Sequence, residues 1–424
     1  MLKYYIWTIG CQMNKAESAR LGGYLEERGY QTVARAEEAE LIVLNSCVVR
    51  QSAENRVLGK LGNLKALKKE RPRLTLAVTG CLVSSDINSL QRRFPHVDYF
   101  FGPGEYPTWI ATDGANAVIP ERPSPVTLVP IIQGCNNFCS YCIVPHRRGR
   151  EKSRPLKEVA GEVKTLVNRG VREVTLLGQN VDSYGHDLEP KTDLASLLNE
   201  LNAIKGLARI RFLTNHPKDM SPRLIEAVAT MDKVCEEISL PVQAGSDAIL
   251  KAMERGYTAA HYRELIGRIR GKVPGIALST DVIVGFPSET EAQFQETYDL
   301  LSTVGFDKVH VAAYSPRPGT TAARKFEDNV PAAAKKERLR RVEELQEKVA
   351  GGINARLRGE AVEVLVDGAK GGKWQGRTRG GKLAFFIDGG DWLGKLVNVR
   401  IEKTSPWALQ GNLRSGSADK SEGG

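Results

Sequence analysis

Alternating apolar and polar segments predict three structural regions along this chain of 424 residues. In the first hundred residues, short apolar runs alternate with polar, helix-like stretches, a pattern typical of a parallel α/β sheet. From residue 126 six further strand–helix units follow, and their order predicts a partial (β/α)6 barrel of the TIM type. A charged helix-like stretch and four β-rich segments come next and predict a small C-terminal β-barrel. The expected fold class is therefore α/β, with a small β-barrel appended.

These regions define the expected domains. We place the N-terminal α/β domain at residues 1–115, the partial barrel at 121–350 and the small β-barrel at 353–414. Residues 415–424 are rich in Ser, Gly and charge and are expected to be disordered. The strands expected in the partial barrel are 126–133, 173–179, 209–214, 237–243, 277–286 and 308–314. Those expected in the small β-barrel are 361–366, 373–379, 383–387 and 395–401.

Three cysteines of the N-terminal region each follow a predicted strand. Cys11 follows an apolar run that begins at Tyr4, and Cys47 and Cys81 follow the next two runs. The carboxyl ends of parallel strands line one crevice, so these three side chains can converge although they are distant in sequence. They predict a three-cysteine metal cluster. The alternative is three buried, inert thiols, since free cysteine is commonly a core residue.

A CxxxCxxC segment follows the first predicted barrel strand and contains Cys135, Cys139 and Cys142. Three thiolates leave one iron of a cubane iron–sulfur cluster without a protein ligand, and an open iron can bind and activate a small molecule. A zinc site formed by the same cysteines and His146 is the alternative. The apolar strand before the segment favours the iron–sulfur cluster over a small zinc-stapled module.

Polar residues recur at the predicted carboxyl ends of the barrel strands, where (β/α) barrels carry their chemistry. Gln179 and Asn180 follow one strand, and Gln243 and Ser246 follow another. Individually, each residue is as typical of a turn or a cap as of a ligand contact. Their repetition at one rim predicts a ligand site there.

The formal net charge of +10 and the pI near 9.2 fit a polyanionic partner, and they fit simple solubility as well. Arg147, Arg148, Arg150 and Arg154 crowd the segment after the CxxxCxxC cysteines. In the small β-barrel, basic residues alternate with aromatic ones, which suits contacts to phosphates and stacked bases. The candidates there are Lys373, Trp374, Arg377 and Arg379. The alternatives are a solvated basic loop and a β-domain whose aromatic residues form its core.

The cysteine count and the N-terminus bear on the compartment. Seven cysteines are few and odd in number, and residues 1–14 lack a signal-peptide pattern, so a reducing, cytoplasmic location is expected. No apolar run approaches the roughly 20 residues that span a bilayer, so membrane insertion is not expected. Cys235 precedes its predicted strand and is expected to be a buried structural thiol. A monomer is the default expectation.

Several long motifs resemble the radical S-adenosylmethionine superfamily and, within it, methylthiotransferases of the MiaB type. The motifs are 134–145, 148–154, 177–185, 240–246 and 314–320, and the resemblance extends from residue 1 to residue 413. His146 and Arg147 depart from the family pattern, which has an aromatic and a small hydroxyl residue there, but neither position is a cluster ligand. The resemblance implies that the small β-barrel is a TRAM-like RNA-binding domain.

The resemblance also implies two 4Fe-4S clusters and S-adenosylmethionine as cofactors. The cluster that binds S-adenosylmethionine would have the ligands Cys135, Cys139 and Cys142, and an auxiliary cluster would have Cys11, Cys47 and Cys81. The expected contacts to S-adenosylmethionine are Tyr141, which would lie near the adenine, and Gln179, Asn180, Gln243 and Ser246. The expected RNA contacts are Arg147, Arg148, Arg150, Arg154, Lys373, Trp374, Arg377 and Arg379.

The implied activity is the transfer of a methylthio group to carbon 2 of N(6)-isopentenyladenosine, at adenosine 37 next to the anticodon of tRNA. Residues 45–50 with Ala53 and Glu54 resemble this branch of the family. An unactivated aromatic C–H bond requires a radical, which a cofactor must supply. The implied partners are a tRNA anticodon stem-loop and an electron donor protein. The near alternative is a sibling enzyme for threonylcarbamoyladenosine in tRNA or a ribosomal-protein aspartate, and the distant one is a non-catalytic zinc protein that binds RNA.

Overall fold

A computed structural model describes residues 2–49, 51–83, 87–110 and 123–414. The predicted tail and the predicted boundary between the first two domains lie outside the described residues. The described chain forms a parallel sheet with helices, a partial barrel of parallel strands and a closed five-stranded barrel, which confirms the predicted fold class. Among the described residues, no helix is long and apolar enough to cross a membrane.

The N-terminal sheet has five parallel strands in the order β2-β1-β3-β4-β5. The strands are β1 (Lys3–Thr8), β2 (Gln31–Thr32), β3 (Leu41–Ser46), β4 (Thr75–Gly80) and β5 (Tyr99–Phe100), and the helices are α1 (Gln12–Glu27), α2 (Gln51–Glu70) and α3 (Ile87–Arg93). Every residue of β3 is buried, because α1 packs on one face of the sheet and α2 on the other. The sequence pattern does not reveal β2 and β5, since two residues are too few to show a period.

Six parallel strands form the partial barrel, as predicted. They are β6 (Val126–Pro130), β9 (Glu173–Leu177), β10 (Arg209–Phe212), β11 (Glu237–Ser239), β12 (Ala277–Val284) and β13 (Lys308–Ala313), while the short β7 (Ile132–Gln133) and β8 (Lys152–Ser153) pair with each other. The sheets β10-β9-β6 and β11-β12-β13 meet at a bridge between Ile210 and Val234. One large apolar core lies between the strands and their helices.

Several helices of the partial barrel begin at a side chain that caps the helix. They are α4 (Val144–Arg148), α5 (Leu156–Asn168), α6 (Leu194–Asn202), α7 (Pro222–Thr230), α8 (Asp247–Ala252), α9 (Ala259–Lys272), α10 (Glu291–Val304), α11 (Thr321–Lys325) and α12 (Ala332–Ala355). Ser221 precedes α7, and its hydroxyl accepts a hydrogen bond from the Leu224 amide at 3.1 Å. Thr290 and Gln293 form a reciprocal capping box at the start of α10.

The C-terminal barrel is closed in the order β14-β15-β16-β18-β17. Its strands are β14 (Ala361–Lys370), β15 (Lys373–Thr378), β16 (Leu383–Phe386), β17 (Leu396–Thr404) and β18 (Leu409–Leu413). Four of these match predicted segments, but the sequence analysis missed β18, which has only two apolar residues among its five. β18 pairs parallel with β16 and antiparallel with β17, and this pairing closes the barrel.

The C-terminal barrel docks against the amino ends of the partial-barrel strands, opposite the rim where their carboxyl ends lie. Arg209 donates to the Arg377 carbonyl at 2.7 Å, and Arg211 donates to the Thr378 carbonyl at the same distance. Arg211 also pairs with the buried carboxylate of Glu173 at 2.8 Å. Because these groups are buried and hydrogen-bonded, the interface holds the two barrels in one arrangement.

Candidate iron–sulfur centres and the barrel rim

The three N-terminal cysteines lie at one edge of the N-terminal sheet. Cys11 is the N-cap residue of α1, directly after β1, and Cys47 and Cys81 follow the neighbouring strands β3 and β4. These two strands pair Ser46 with Gly80, and the Cys81 amide donates to the Ser46 carbonyl at 2.8 Å. The tertiary structure therefore brings the predicted ligands of the auxiliary cluster to a common edge.

Gly10 allows the Cys11 loop to approach Cys47 closely. A Cβ atom at Gly10 would lie 2.8 Å from the Cβ of Cys47 and 2.4 Å from the Oδ1 of Asn14, and the residue has φ 146°. No larger residue fits this space without moving the backbone of the loop. A glycine directly before Cys11 is thus required by the proximity of Cys47 and Asn14.

The buried side chains of Asn14 and Asn45 form a hydrogen-bonded pair beside these cysteines, which was not predicted from the sequence. Asn14 Oδ1 accepts a hydrogen bond from the Cys11 amide at 3.3 Å, and Asn14 Nδ2 donates to Asn45 Oδ1 at 2.8 Å. Asn45 donates in turn to the Asn14 carbonyl at 2.9 Å. The only signal in the sequence is the position of Asn14 three residues after a helix N-cap. The pair ties the Cys11 loop to the strand that carries Cys47.

The segment that follows Cys142 packs against the N-terminal domain. Ile143, the neighbour of Cys142, is buried in the same apolar cluster as Cys81 and Val48 of the N-terminal domain. Arg148 continues this contact, because its guanidinium pairs with Glu17 of α1 at 2.5 Å and the side chain is only 2% exposed. The segment after the CxxxCxxC motif is therefore packed against the N-terminal domain beside its cysteines.

The CxxxCxxC loop is held by backbone and side-chain contacts from several elements. The Gly134 amide donates to Gln179 Oε1 at 2.6 Å, and the Cys135 amide donates to the Gly149 carbonyl at 3.2 Å. Ser140 is fixed at the C-terminal end of α8, since its hydroxyl donates to the Ala252 carbonyl at 2.7 Å. These contacts position the loop before any cofactor binds.

A buried arginine reaches this loop from outside the predicted motifs. Arg255 is 4% exposed and its Nη1 lies 3.3 Å from the Sγ of Cys139. The same guanidinium donates to the Tyr257 hydroxyl at 3.0 Å and to the Pro241 carbonyl at 2.9 Å, so its position is fixed. Because Arg255 follows a helix rather than a strand, the strand-end pattern gave no signal for it.

Burial raises the pKa of three of these thiols, Cys81, Cys135 and Cys142, so that a cation is needed to deprotonate them at neutral pH. Burial raises the pKa of Cys135 to about 11 and that of Cys142 to about 12. Burial also raises the pKa of Cys81 to about 11, against the opposing effect of the Arg148 guanidinium. Iron replaces these protons on binding, and soft thiolates suit iron–sulfur clusters.

The spacing of the donors matters for what they hold. Among the described residues, no three His, Cys, Asp or Glu side chains converge closely enough to form a site for one metal ion. His146, the predicted fourth ligand of the zinc alternative, is exposed and lies edge-on to the Phe138 ring at 6.4 Å. Each cysteine set offers thiol donors that form no disulfide, the ligand type that iron–sulfur clusters take, so the residues present fit iron–sulfur ligation.

The predicted S-adenosylmethionine contacts occupy the rim of the partial barrel. Gln179 uses its oxygen to hold Gly134, whereas Asn180 donates to Asp219 Oδ2 at 2.7 Å. Gln243 has a left-handed backbone with φ 70°, and Ser246 is the buried N-cap residue of α8. The half-buried ring of Tyr141 packs against the barrel core, and its hydroxyl lies 3.5 Å from Arg255. All five residues stay candidates for cofactor contacts.

Unsatisfied polar atoms mark this rim as a ligand site. Within the described part of the chain, Asn180 Oδ1, Asn215 Oδ1 and His216 Nε2 are buried and have no hydrogen-bond partner. Buried polar groups are normally paired, so a polar ligand at the rim would complete them. Burial lowers the pKa of His216 to about 2, and it raises the pKa of Asp182, which accepts from the His216 amide, to about 7. A polar cofactor such as S-adenosylmethionine fits this donor and acceptor set.

The structure changes the expected RNA surface. Arg148 is not available to RNA, because it is buried against Glu17. Arg154 is committed to Glu158 and Glu162. Arg379 is committed to Glu236. The predicted residues with a free or partly free surface are Arg147, Arg150, Lys373, Trp374 and Arg377.

Three family models match the three regions of the chain. A model described as the radical SAM superfamily matches residues 129–301, and one described as the TRAM domain matches residues 355–413. A third, described as uncharacterized protein family UPF0004, matches residues 3–102. Among solved structures, the radical S-adenosylmethionine methyltransferase TsrM from Kitasatospora setae has a TM-score of 0.55 and 15% identity, over 76% of this chain and 77% of that chain. This likeness shows a shared fold.

Similar proteins extend over nearly the whole chain. A tRNA-2-methylthio-N(6)-dimethylallyladenosine synthase of Dehalococcoides mccartyi (strain CBDB1) is 56% identical over 410 residues, which cover 97% of this chain and 98% of that protein. A synthase of the same name from Chloroflexus aurantiacus is 50% identical over 423 residues, which cover 96% and 91% of the two chains. The protein therefore belongs to the family of tRNA-2-methylthio-N(6)-dimethylallyladenosine synthases.

Proposed function

We propose that this protein is a tRNA-modifying methylthiotransferase that inserts a methylthio group at carbon 2 of N(6)-isopentenyladenosine, at adenosine 37 of tRNA. The proposal is supported by the packing of the CxxxCxxC segment against the domain that carries the other three cysteines, since Ile143 beside Cys142 lies in the same apolar cluster as Cys81. Relatives that match nearly the whole chain are named for this modification, which favours this branch over the sibling substrates.

The proposed cofactors are two 4Fe-4S clusters and S-adenosylmethionine. We assign one cluster to Cys135, Cys139 and Cys142 and the auxiliary cluster to Cys11, Cys47 and Cys81. When bound, these groups supply the radical that removes hydrogen from carbon 2 and the methylthio group that replaces it. The electrons come from a low-potential donor protein.

The chain itself positions and shields the reacting groups. Arg255 fixes Cys139 from the protein side, and Ser140 anchors the loop between Cys139 and Cys142 on α8. Asn180 and His216 offer unpaired polar atoms to S-adenosylmethionine at the rim. The Nδ1 of His216 accepts a hydrogen bond from the Lys218 amide at 3.3 Å, so the neutral ring carries its proton on Nε2 and can donate one hydrogen bond to a ligand without adding charge.

Two surfaces are proposed to bind the anticodon stem-loop. Arg147 and Arg150 lie beside the CxxxCxxC loop, where the target base must leave its stack to reach the rim. Lys373, Trp374 and Arg377 belong to the C-terminal barrel at the other end of the strands. A strand of five residues spans about 17 Å, so an RNA that touches both surfaces must extend along the side of the partial barrel.

The assembly and compartment follow from the same arrangement. One chain supplies both cysteine sets and both RNA surfaces, so a monomer suffices for the reaction. We propose a cytoplasmic location, because the cysteines must stay reduced to bind iron and the proposed substrate is tRNA.

The test is an in vitro assay with reconstituted protein under anaerobic conditions. An isopentenylated anticodon stem-loop is incubated with a reductant and S-adenosylmethionine, and its nucleosides are analysed by mass spectrometry. The expected product is 2-methylthio-N(6)-isopentenyladenosine, and Cys139→Ala should abolish it. Formation of 5′-deoxyadenosine without this product would reject the isopentenyladenosine branch, and a parallel stem-loop with threonylcarbamoyladenosine would then test the sibling substrate.

A further inference from the structure

An exposed aromatic ring projects from the CxxxCxxC loop. Phe138 directly precedes Cys139, and its side chain is among the large apolar side chains that stay exposed, at 36%. Its backbone has φ 48°, in the left-handed region that bulky residues rarely adopt. Neither burial nor backbone preference explains a phenylalanine here, and strained residues of this kind cluster at functional sites.

Two further exposed side chains surround the ring. The guanidinium carbon of Arg150 lies 4.3 Å from the centre of the Phe138 ring, and the His146 ring meets it edge-on at 6.4 Å. Both residues are solvent-exposed, and neither forms an ion pair with another residue in the part of the chain that the structure describes. Phe138, His146 and Arg150 thus form one surface, which we name the loop platform.

The loop platform is fixed to the cysteine loop. The Asn136 amide donates to Glu151 Oε1 and Asn136 Nδ2 donates to Glu151 Oε2, each at 3.1 Å. Gly134 comes so close to the Arg150 carbonyl that a Cβ atom would lie 2.0 Å from that oxygen. The segment at Gly134 and Asn136 is therefore held against the segment at Arg150 and Glu151, so the Phe138 ring is ordered before a ligand binds.

The composition of the loop platform fits single-stranded RNA. Proteins bind unpaired bases by stacking them on aromatic rings, while nearby guanidinium groups contact the phosphates. A base on Phe138 would lie one residue away from Cys139, next to the proposed radical site. We propose that the loop platform stacks an unpaired base that flanks the target adenosine and so holds the target at the barrel rim. This inference rests on the proposed function, because it takes RNA as the substrate.

The test replaces the ring and observes the flanking bases. Two isopentenylated stem-loops carry 2-aminopurine at the position before or after the target adenosine, and emission is followed on titration with holoprotein. With the unaltered protein, one of the two probes should be quenched by stacking. Phe138→Leu should remove this quenching and weaken RNA binding about tenfold, the scale of one lost base–aromatic stack, whereas Phe138→Trp should retain both. Tyr99→Leu is the matched control, since Tyr99 is an exposed aromatic residue, 43% exposed, outside the cysteine loop.

The outcomes separate the platform from the proposed function. Quenching that persists in Phe138→Leu with unchanged RNA affinity would overturn the inference, and so would weaker binding of S-adenosylmethionine with unchanged RNA binding. If Phe138→Leu loses iron, Phe138→Trp provides the test instead. Because this variant keeps an aromatic ring at position 138, absence of 2-aminopurine quenching in it would contradict stacking. The product assay on the unaltered protein is run in parallel, so that absence of the methylthio product rejects the function and not only the platform.

Discussion

Buried arginines set the charge around both cysteine sets at the scale of single residues. Arg255 lies 3.3 Å from the Cys139 sulfur, and Arg148 acts on Cys81 from the opposite side of the domain contact. Each guanidinium is also held by protein oxygen atoms, so that its position does not depend on a cofactor. A fixed positive charge favours the more negative state of a nearby cluster.

Arg255→Met should lower the reduction potential of the cluster at Cys135, Cys139 and Cys142. The variant removes a charge-assisted hydrogen bond, and about 1.4 kcal/mol corresponds to about 59 mV for one electron, so we expect a fall on the order of 60 mV. The potential is measured by redox titration with electron paramagnetic resonance. Arg255→Lys should restore part of the potential, and Arg268→Met, on the exposed face of α9, should leave it unchanged. An unaltered potential in Arg255→Met would show that the guanidinium only supports the fold.

Asp182 should impose a pH dependence on stability. Its pKa is raised to about 7 by burial, above the usual value of 3.8, so the folded protein binds a proton more tightly than the unfolded chain. The stability from this group is complete below about pH 4 and is lost as the pH rises towards 7. When the pH is raised from 5 to 8, the free energy of unfolding should therefore fall less in Asp182→Asn than in the unaltered protein. Urea unfolding of the apoprotein measures this difference. Asp299→Asn, on the exposed face of α10, should retain the original pH profile.

Close approaches between backbone segments decide the site at the scale of elements. The loop after β7 passes so near the loop before β8 that only glycine fits at position 134, where φ is 82°. β3 and β4 bring Cys47 and Cys81 together in the same way, through paired neighbours in the strand register. The cysteines are thus placed by strand pairing and loop contact, not by their own side chains.

Gly134→Ala should empty the cluster site of the CxxxCxxC loop. The added Cβ would lie 2.0 Å from the Arg150 carbonyl oxygen, so the two segments must separate. We expect iron content to fall from about eight to about four atoms per chain, since the auxiliary cluster is built by another sheet. Iron analysis and absorption spectra measure this loss. Gly170→Ala is the control, because that glycine has φ 94° but nothing within 4 Å of an added Cβ, and full loss of iron in both variants would point to general misfolding.

Arg209→Met should loosen the C-terminal barrel from the partial barrel. The Arg209 side chain is fully buried between Glu173, Glu363 and the Arg377 carbonyl, and its loss leaves the buried Glu173 with one partner fewer. Breaking a buried ion pair costs about 3 kcal/mol or more, which calorimetry can measure as a lower unfolding free energy. Limited proteolysis should also release the barrel faster. Arg263→Met, an exposed change on α9, should alter neither property.

At the scale of the whole molecule, the proposed cluster sites are separated from one of the two proposed RNA surfaces. The cysteines lie at the carboxyl ends of the strands, whereas the C-terminal barrel is fixed to the amino ends by Arg209, Arg211 and Arg379. Of the basic residues in β15 and the turn after it, Arg379 serves this interface and Arg377 has an exposed side chain. We therefore expect Arg377 to contribute to RNA affinity and Arg379 to hold the two barrels together.

Arg377→Ala should weaken binding of the stem-loop in a salt-dependent way. If Arg377 contacts one phosphate, the slope of log affinity against log salt should fall by about one. Fluorescence anisotropy at several salt concentrations measures the slope. Arg379→Ala is the matched comparison, since its loss should reduce stability through Glu236 and leave the slope unchanged. Equal slopes for Arg377→Ala and the unaltered protein would exclude this phosphate contact.

The sequence by itself determined the order of the longer strands and helices, the positions of Cys11, Cys47, Cys81 and Cys135 after a strand, and the family motifs. These features depend on local periodicity and on residue types at fixed spacings, which a linear chain displays directly. Short or polar strands such as β2, β5 and β18 were not predicted, because they have too few apolar positions to show a periodicity.

Only the tertiary structure decided which residues meet. It paired Asn14 with Asn45, brought Arg255 to Cys139 and buried Arg148 against Glu17, although each pair is distant in sequence. Of the arginines between residues 147 and 154, Arg148 and Arg154 pair with glutamates, whereas Arg150 is exposed. Such contacts depend on packing and desolvation in three dimensions, so the type and spacing of charged residues along the chain do not predict them.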